Sequence, residues 1–479
     1  MPIQAGPQLP SETMGLVTST DKVRLGIAAA ETDFVRCWEI LVAMKYAPHA
    51  SGLAEMVVLD FQRTLAKALF KLEELYSELC GVRRETIRRK SATPNFENQM
   101  RELALHRESV NKALKFGRSL GDAYAWFFYH GDQHRLREHL ARPANPHLPI
   151  GLGGRGEIAF ISGVHPGRFM LLYHGITTFL RLGDVSFIDM ETREVVALGE
   201  LKTRSAGPNW HNVQLHIVGS DRNRMPFDTA PISDKLKESP ELEAAFKERL
   251  DRQIRSMRTG VVRDAPHSRS DVLDGFHLDC LKSLGGKMEG ADFAHEKVGQ
   301  GLLLTGIRCL PGIPLAKRLM TPLDDSVVAE PIAGMLKLAP ALMDPESSDN
   351  GIIVGELSSR FDLGCAPPFW WPMSPDFARK LYFGEVVVAT IYNPAHLLKK
   401  IRALGFGVSK EKGFKIERKI GDDRMVAIEN LGWYISSVKD HLMKEEKVIE
   451  MISYLLQKVE TGEIPVDSRI EMDVATNLM

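Results

Sequence analysis

The sequence predicts an α/β protein with a helical N-terminal domain and a smaller C-terminal α/β region, and three observations predict it. Apolar residues recur at helical spacing from about Ile27 to His130, where proline is sparse until Pro94. Beyond the proline-dense stretch from Arg142 to Pro149, short apolar runs of strand length alternate with helical stretches. The 479 residues also exceed one ordinary hydrophobic core, which points to two to four domains of about 100 to 200 residues.

The first 20 residues, rich in Pro, Gly, Ser and Thr, read as a flexible arm, and 21–141 as the helical domain. Within it, Leu59, Leu65, Leu69, Leu72, Leu75 and Leu79 form an apolar stripe that Gly81 is expected to end. A second helical stretch spans Met100 to Tyr129 and closes on Trp126, Phe127, Phe128 and Tyr129, a cluster expected in the core. The next domain is placed at 146–322. Its strands are expected at Phe169 to Tyr173, Asp184 to Asp189, Val195 to Leu201 and Gly301 to Cys309, with a helix from Ser239 to Met257. The C-terminal α/β region, 323–479, is expected to hold a buried strand from Gly384 to Tyr392, a helix from Pro394 to Leu404 and a last helix from about Ser437 to Glu460.

The 61 basic and 62 acidic residues nearly cancel, so a nucleic-acid surface would have to be local. Cys37, Cys80, Cys280, Cys309 and Cys365 lie far apart without a CxxC pair, which argues against a disulfide framework or zinc ribbon and fits a reducing cytoplasm. No stretch reads as a signal segment or a membrane helix.

The informative segment runs from Gly183 to Lys202, where two strand-like runs flank a polar turn at Glu191, Thr192 and Arg193. As a β-hairpin centred on Thr192 it sets Asp184 opposite Glu200. Glu200 and Lys202 then share one face and Leu201 takes the other. Paired carboxylates repel unless a cation lies between them, and oxygen ligands suit Mg²⁺ or Mn²⁺. A neighbouring lysine can orient a water and stabilise charge on a phosphate under attack.

Asp184 on one strand and Glu200-Leu201-Lys202 on its partner resemble the signature of the PD-(D/E)XK nuclease superfamily, with Gly183 where the family name has proline. The resemblance covers about Pro149 to Cys309 and implies a restriction-endonuclease-like mixed-sheet core. It also implies a metal-dependent nuclease, with DNA as partner and Mg²⁺ or Mn²⁺ held by Asp184 and Glu200. By the same resemblance, Gln253 on the later helix and Glu157 on the helix before the first strand join Asp184, Glu200 and Lys202 as catalytic residues. The setting it suggests is bacterial restriction or anti-phage defence, with a homo-oligomer or a defence partner protein.

From Lys247 to Arg263 six basic residues face Glu248 and Asp251, so Arg252 and Arg255 read either as phosphate contacts or as a solvated helix face. Arg204 extends the basic surface from the catalytic strand. The run Arg83 to Lys90, placed between helices, reads as a soluble turn or a second contact. Gly151 to Gly156 lacks the Gly-Lys-Ser/Thr of a phosphate loop. His211 and His216 read as loop residues, and the spacings of His277, Cys280, His295 and Cys309 match no zinc pattern. An isolated Glu-x-Lys also describes a surface ion pair. Two other readings therefore stand beside the enzyme: an inactive nuclease fold that binds DNA or acts as a scaffold, and a helical interaction protein.

Overall fold

The computed structural model describes residues 11–46, 55–90, 93, 95–143, 147–163, 168–207, 210–219, 248, 250–258, 275–309, 312–321, 325–357, 366–409, 415–420, 424–428 and 431–462. The chain divides into two compact units, residues 1–267 with 313–322 and residues 268–312 with 323–479. The stretch expected as one domain at 146–322 thus contributes to both.

In the first unit three long helices, α1 (Ser11–Tyr46), α2 (Glu55–Arg88) and α3 (Phe96–Tyr129), pack on one another. Helix α1 begins at Ser11, so residues 11–20 are helical and not a loose arm; residues 1–10 lie outside the described ones. Gly81 does not end α2. The residues after it, Arg83, Arg84 and Glu85, are good helix formers, Arg89 pairs with Glu85 at 2.6 Å, and the helix runs to Arg88. The basic run therefore sits on the last turns of α2 and not between helices. Trp126, Phe128 and Tyr129 are buried as expected.

Helices α4 (Gln133–Leu140) and α5 (Leu152–Gly163) lead into a four-stranded sheet of β1 (Phe169–Tyr173), β2 (Val185–Asp189), β3 (Glu194–Gly207) and β4 (Trp210–Gly219), in that order. All three pairings are antiparallel, so among the described residues the sheet is not the mixed one expected. The reason is connectivity: β3 turns back within a few residues into β4, whereas a parallel neighbour needs a long crossover. On the free edge of β1, the buried Gln62 amide of α2 donates to the Leu171 carbonyl at 2.6 Å and accepts from the Tyr173 N–H at 3.1 Å. Two of the outward ladder groups of this edge strand are thereby satisfied. Residues 250–258 form helix α6, and α8 (Leu315–Met320) returns to this unit, where its Leu319 carbonyl accepts from Ser109 on α3 at 2.9 Å.

The second unit has a four-stranded antiparallel sheet ordered β5 (Phe293–Val298), β6 (Leu302–Arg308), β8 (Val386–Tyr392) and β7 (Ile353–Glu356). Helices α7 (Asp279–Lys287), α9 (Asp325–Leu338), α10 (Pro375–Tyr382) and α11 (Ala395–Ala403) accompany it, together with a small sheet of β9 (Gly407–Ser409), β10 (Lys415–Ile420) and β11 (Arg424–Ile428). The expected last helix is two helices, α12 (Leu431–His441) and α13 (Glu445–Glu460). Leu442 takes a φ of 61°, its carbonyl accepts from the His277 N–H at 2.8 Å, and Met443 bridges to Phe276. That pairing with a distant segment overrides the helical periodicity. Among the described residues no helix is long and apolar enough to cross a membrane.

Candidate active site

The β2–β3 hairpin positions the first three groups. Val185 faces Gly199 and Phe187 faces Ala197, the register that sets Asp184 opposite Glu200, and the Asp184 N–H donates to the Gly199 carbonyl at 2.8 Å. A bulge between Phe187 and Ile188 then shifts the pairing by one, so that Ile188 faces Val195 beside a turn in which Arg193 has a φ of 58°. The site end of the hairpin keeps the predicted register; the turn end does not. Asp184 accepts from the Leu201 N–H at 2.7 Å, and the Lys202 ammonium lies 2.5 Å from a Glu200 carboxylate oxygen.

Gly183 has a φ of +69°, a conformation closed to proline. A Cβ there would fall 2.7 Å from the Gly199 carbonyl oxygen and 2.9 Å from the Met257 sulfur. Helix α6 therefore docks against the bare backbone of Gly183, with Leu250 and Met257 buried. Gln253, on the same helix, lines the cavity, and its Oε1 is buried without a hydrogen-bond partner. Helix α5 approaches β3 as closely, since a Cβ on Gly156 would meet the Thr203 side chain at 2.1 Å. The next residue, Glu157, accepts from the Tyr173 hydroxyl at 2.6 Å.

A hydrogen-bond chain secures the strand before Asp184. Gly183 offers only its carbonyl to His174 Nδ1, at 3.0 Å, so that nitrogen carries the proton. Burial pushes the His174 pKa down to about 4, leaving Nε2 to accept from the Ser186 hydroxyl at 2.5 Å while Tyr129 donates to Ser186 at 2.5 Å. This order of donors aims the Gly183–Asp184 peptide.

Glu157, Asp184, Glu200 and Gln253 converge on one cavity of about 280 Å³, with Arg118 and Tyr173 on its walls. Burial first, and then the charges of Glu200 and Glu157, hold the Asp184 carboxyl well above its ordinary range, against the Leu201 N–H and Lys202. Glu157 is likewise raised, chiefly by burial and then by Glu200, while the Tyr173 hydroxyl and Lys202 oppose the shift. Buried like charges cannot all ionise together. Carboxylates with one amide oxygen are the donor set of a hard divalent cation, so the residue chemistry fits Mg²⁺ or Mn²⁺. Among the described residues, however, no three His, Cys, Asp or Glu side chains are already grouped as a metal cage. Hydrogen bonds engage the oxygens instead: Asp184 accepts from the Leu201 N–H, Glu200 from Lys202 and Glu157 from the Tyr173 hydroxyl.

Of the residues expected from sequence, Asp184, Glu200, Lys202, Gln253 and Glu157 come together here. Arg252 and Arg255 are exposed on α6 beside the site, as is Arg258. Arg204 pairs with Asn212 in the β3–β4 ladder, its side chain lying outside the described residues, as do Lys247, Arg249 and Arg263. His216 is not a loop residue: it sits on β4 directly across from Glu200 and is buried. Sequence reasoning missed it, together with Tyr173, His174 and Arg118. The signal for His216 was the continuation of strand character past Lys202, which folds Trp210 to Gly219 back onto β3. His277, Cys280, His295 and Cys309 form no metal group among the described residues; His295 hydrogen-bonds Thr305 at 2.8 Å.

Compared with protein families, characterised proteins and solved structures, the chain finds no match.

Proposed function

We propose that this protein is a metal-dependent nuclease with a restriction-endonuclease-like PD-(D/E)XK centre that hydrolyses phosphodiester bonds, acting as an endonuclease on DNA. The observation that carries the reading is the meeting of Asp184, Glu200 and Lys202 across one antiparallel hairpin, with Glu157 and Gln253 brought to the same cavity by two helices. An isolated surface Glu-x-Lys pair would show neither the burial of Glu200 nor the raised carboxyls of Asp184 and Glu157.

Asp184 and Glu200 would hold the divalent cation, with Glu157 and the Gln253 carbonyl oxygen beside them. The cation would supply Lewis-acid charge for a phosphoryl oxygen and lower the pKa of a bound water. Asp184 and Glu157 would serve as ligands in their ionised forms, which burial and the neighbouring carboxylates disfavour until a cation arrives. Lys202, once free of Glu200, presents an ammonium that orients the attacking water and offsets charge on the phosphate. Arg252 and Arg255, exposed on α6, offer the phosphate backbone a track beside the cavity.

The test is cleavage of supercoiled and linear DNA with Mg²⁺, Mn²⁺ or chelator, by the wild type and by Asp184→Asn and Lys202→Ala. Metal-dependent cutting is expected to fall by about two to four orders of magnitude in each variant. Cutting that survives both would remove these residues from the mechanism. A second reading, a nuclease fold that binds DNA without cutting, is favoured by the closed Lys202–Glu200 contact. It takes over if the wild type binds DNA, cuts nothing with either metal, and binds equally well after both substitutions.

A further inference from the structure

The proposed chemistry needs Glu200 and Lys202 in separate jobs, one on a cation and one on a water, yet here the ammonium and the carboxylate are 2.5 Å apart. Something must hold the ammonium once the carboxylate turns away. Lys202 is only partly exposed, so water alone is a poor replacement for a lost buried partner.

On the neighbouring strand His216 is the direct cross-strand partner of Glu200, and such partners project from the same face of a sheet. Lys202, two residues on from Glu200, shares that face and is the diagonal neighbour of His216. The His216 side chain belongs to a residue only 5% exposed, and neither ring nitrogen has a hydrogen-bond partner among the described residues. Helix α5 packs across both β3 and β4. A buried imidazole with both nitrogens unsatisfied is rare in a fold, because each lost hydrogen bond to water goes unreplaced. A neutral imidazole has one N–H donor and keeps the lone pair of its other nitrogen as an acceptor.

We propose that His216 is a positioning residue of the active centre, accepting the Lys202 ammonium on its unprotonated ring nitrogen when Glu200 leaves it. The lysine thereby exchanges a carboxylate partner for a neutral one and stays aimed at the site without neutralising the carboxylate. Glu200 is free to face a cation while Lys202 remains ordered. His216 itself touches neither substrate nor reacting water. This inference rests on the phosphodiester-cleaving reading, and its test separates the two.

The variants are His216→Phe, which keeps the ring volume without an acceptor, and His216→Gln, which restores an acceptor oxygen. The double variant Lys202→Ala/His216→Phe completes the set. Steady-state cleavage of DNA is expected to show kcat at least tenfold lower in His216→Phe, with KM unchanged and the melting temperature not lowered. In His216→Gln most of kcat should return, and in the double variant the loss should be no greater than in Lys202→Ala alone. A kcat retained in His216→Phe, an equal loss in His216→Gln, or a loss added to that of Lys202→Ala would overturn the proposal.

The second readout needs no cleavage. In ¹⁵N-histidine-labelled protein, with the His216 signals assigned by their loss in His216→Phe, Mg²⁺ alone should move one ring nitrogen towards the shift of a hydrogen-bonded acceptor. Lys202→Ala should abolish that movement. If the wild type cuts no nucleic acid but the Lys202-dependent shift is present, the exchange of partners stands and only the nuclease reading fails. If the shift is absent, the exchange itself is wrong.

Discussion

Two regions of this molecule bury polar side chains, and they do so in opposite ways. In the second unit Asn393 is fully buried and all of its capacity is used. Its amide donates to the Leu342 carbonyl and to Asn350 Oδ1, both at 2.8 Å, and its oxygen accepts from the Gly351 and Ala395 N–H groups, both at 3.2 Å. In the first unit Asp184 and Glu157 are held above their ordinary pKa, while Gln253 Oε1 and both nitrogens of His216 lack partners. A satisfied network adds stability and specifies a loop arrangement, whereas an unsatisfied one gives up stability and keeps groups ready for something that arrives later. Burial alone therefore does not mark a site; at this one, unmet hydrogen-bonding capacity and raised carboxyls coincide in one cavity.

The comparison breaks first at Asn393. Asn393→Ala removes these hydrogen bonds and strands backbone partners, so a loss of about 2–4 kcal/mol is expected in urea unfolding, with DNA cleavage per folded molecule retained. A neutral substitution there would mean the two networks do not differ in kind.

It sharpens at Asp184, where the sign reverses. The folded-state pKa of this carboxyl lies above its ordinary value, so its contribution to stability is full below that value and is lost as pH rises through the folded pKa. In chelator, Asp184→Asn should therefore melt close to the wild type near pH 4 and increasingly above it towards pH 8. Thermal melts across that range check it; parallel curves would show that the buried acid carries no penalty. Mg²⁺ should raise the wild-type melting temperature at pH 8 and leave the variant nearly unmoved.

The smallest effect belongs to the exposed basic face of α6. Arg252→Ala/Arg255→Ala should change stability by less than about 0.5 kcal/mol, because both side chains are exposed. DNA affinity should fall, and the slope of log affinity against log salt should become shallower by about 2. An unchanged slope in fluorescence anisotropy would return these arginines to the role of a solvated face.

How far each feature could be read from sequence follows from how local its cause is. The strand β1 was legible as a short continuous apolar run, and the site end of the β2–β3 hairpin because two strand-length runs and a short turn set it without reference to the rest of the chain. Gln253 was legible for the same reason, since helical spacing from Leu250 and Met257 fixes its side of α6. The end of α2 was misread because glycine permits a helix stop without requiring one, and the helix-forming residues after Gly81 carry on. The break at Leu442 was invisible, since its cause is a bridge to Phe276 far away in the chain.

The sequence by itself therefore determined the alternation of helices and strands, the facing of Asp184 and Glu200, and the common face of Glu200 and Lys202. Each of these needs only the geometry of a strand and one turn. Only the tertiary structure decided that Glu157 and Gln253 reach the same cavity. It also decided that Asp184 and Glu200 line that cavity together with them. Those outcomes depend on close approaches at Gly156 and Gly183 between segments distant in sequence, and no local periodicity encodes which distant backbone will fill the space a missing side chain leaves.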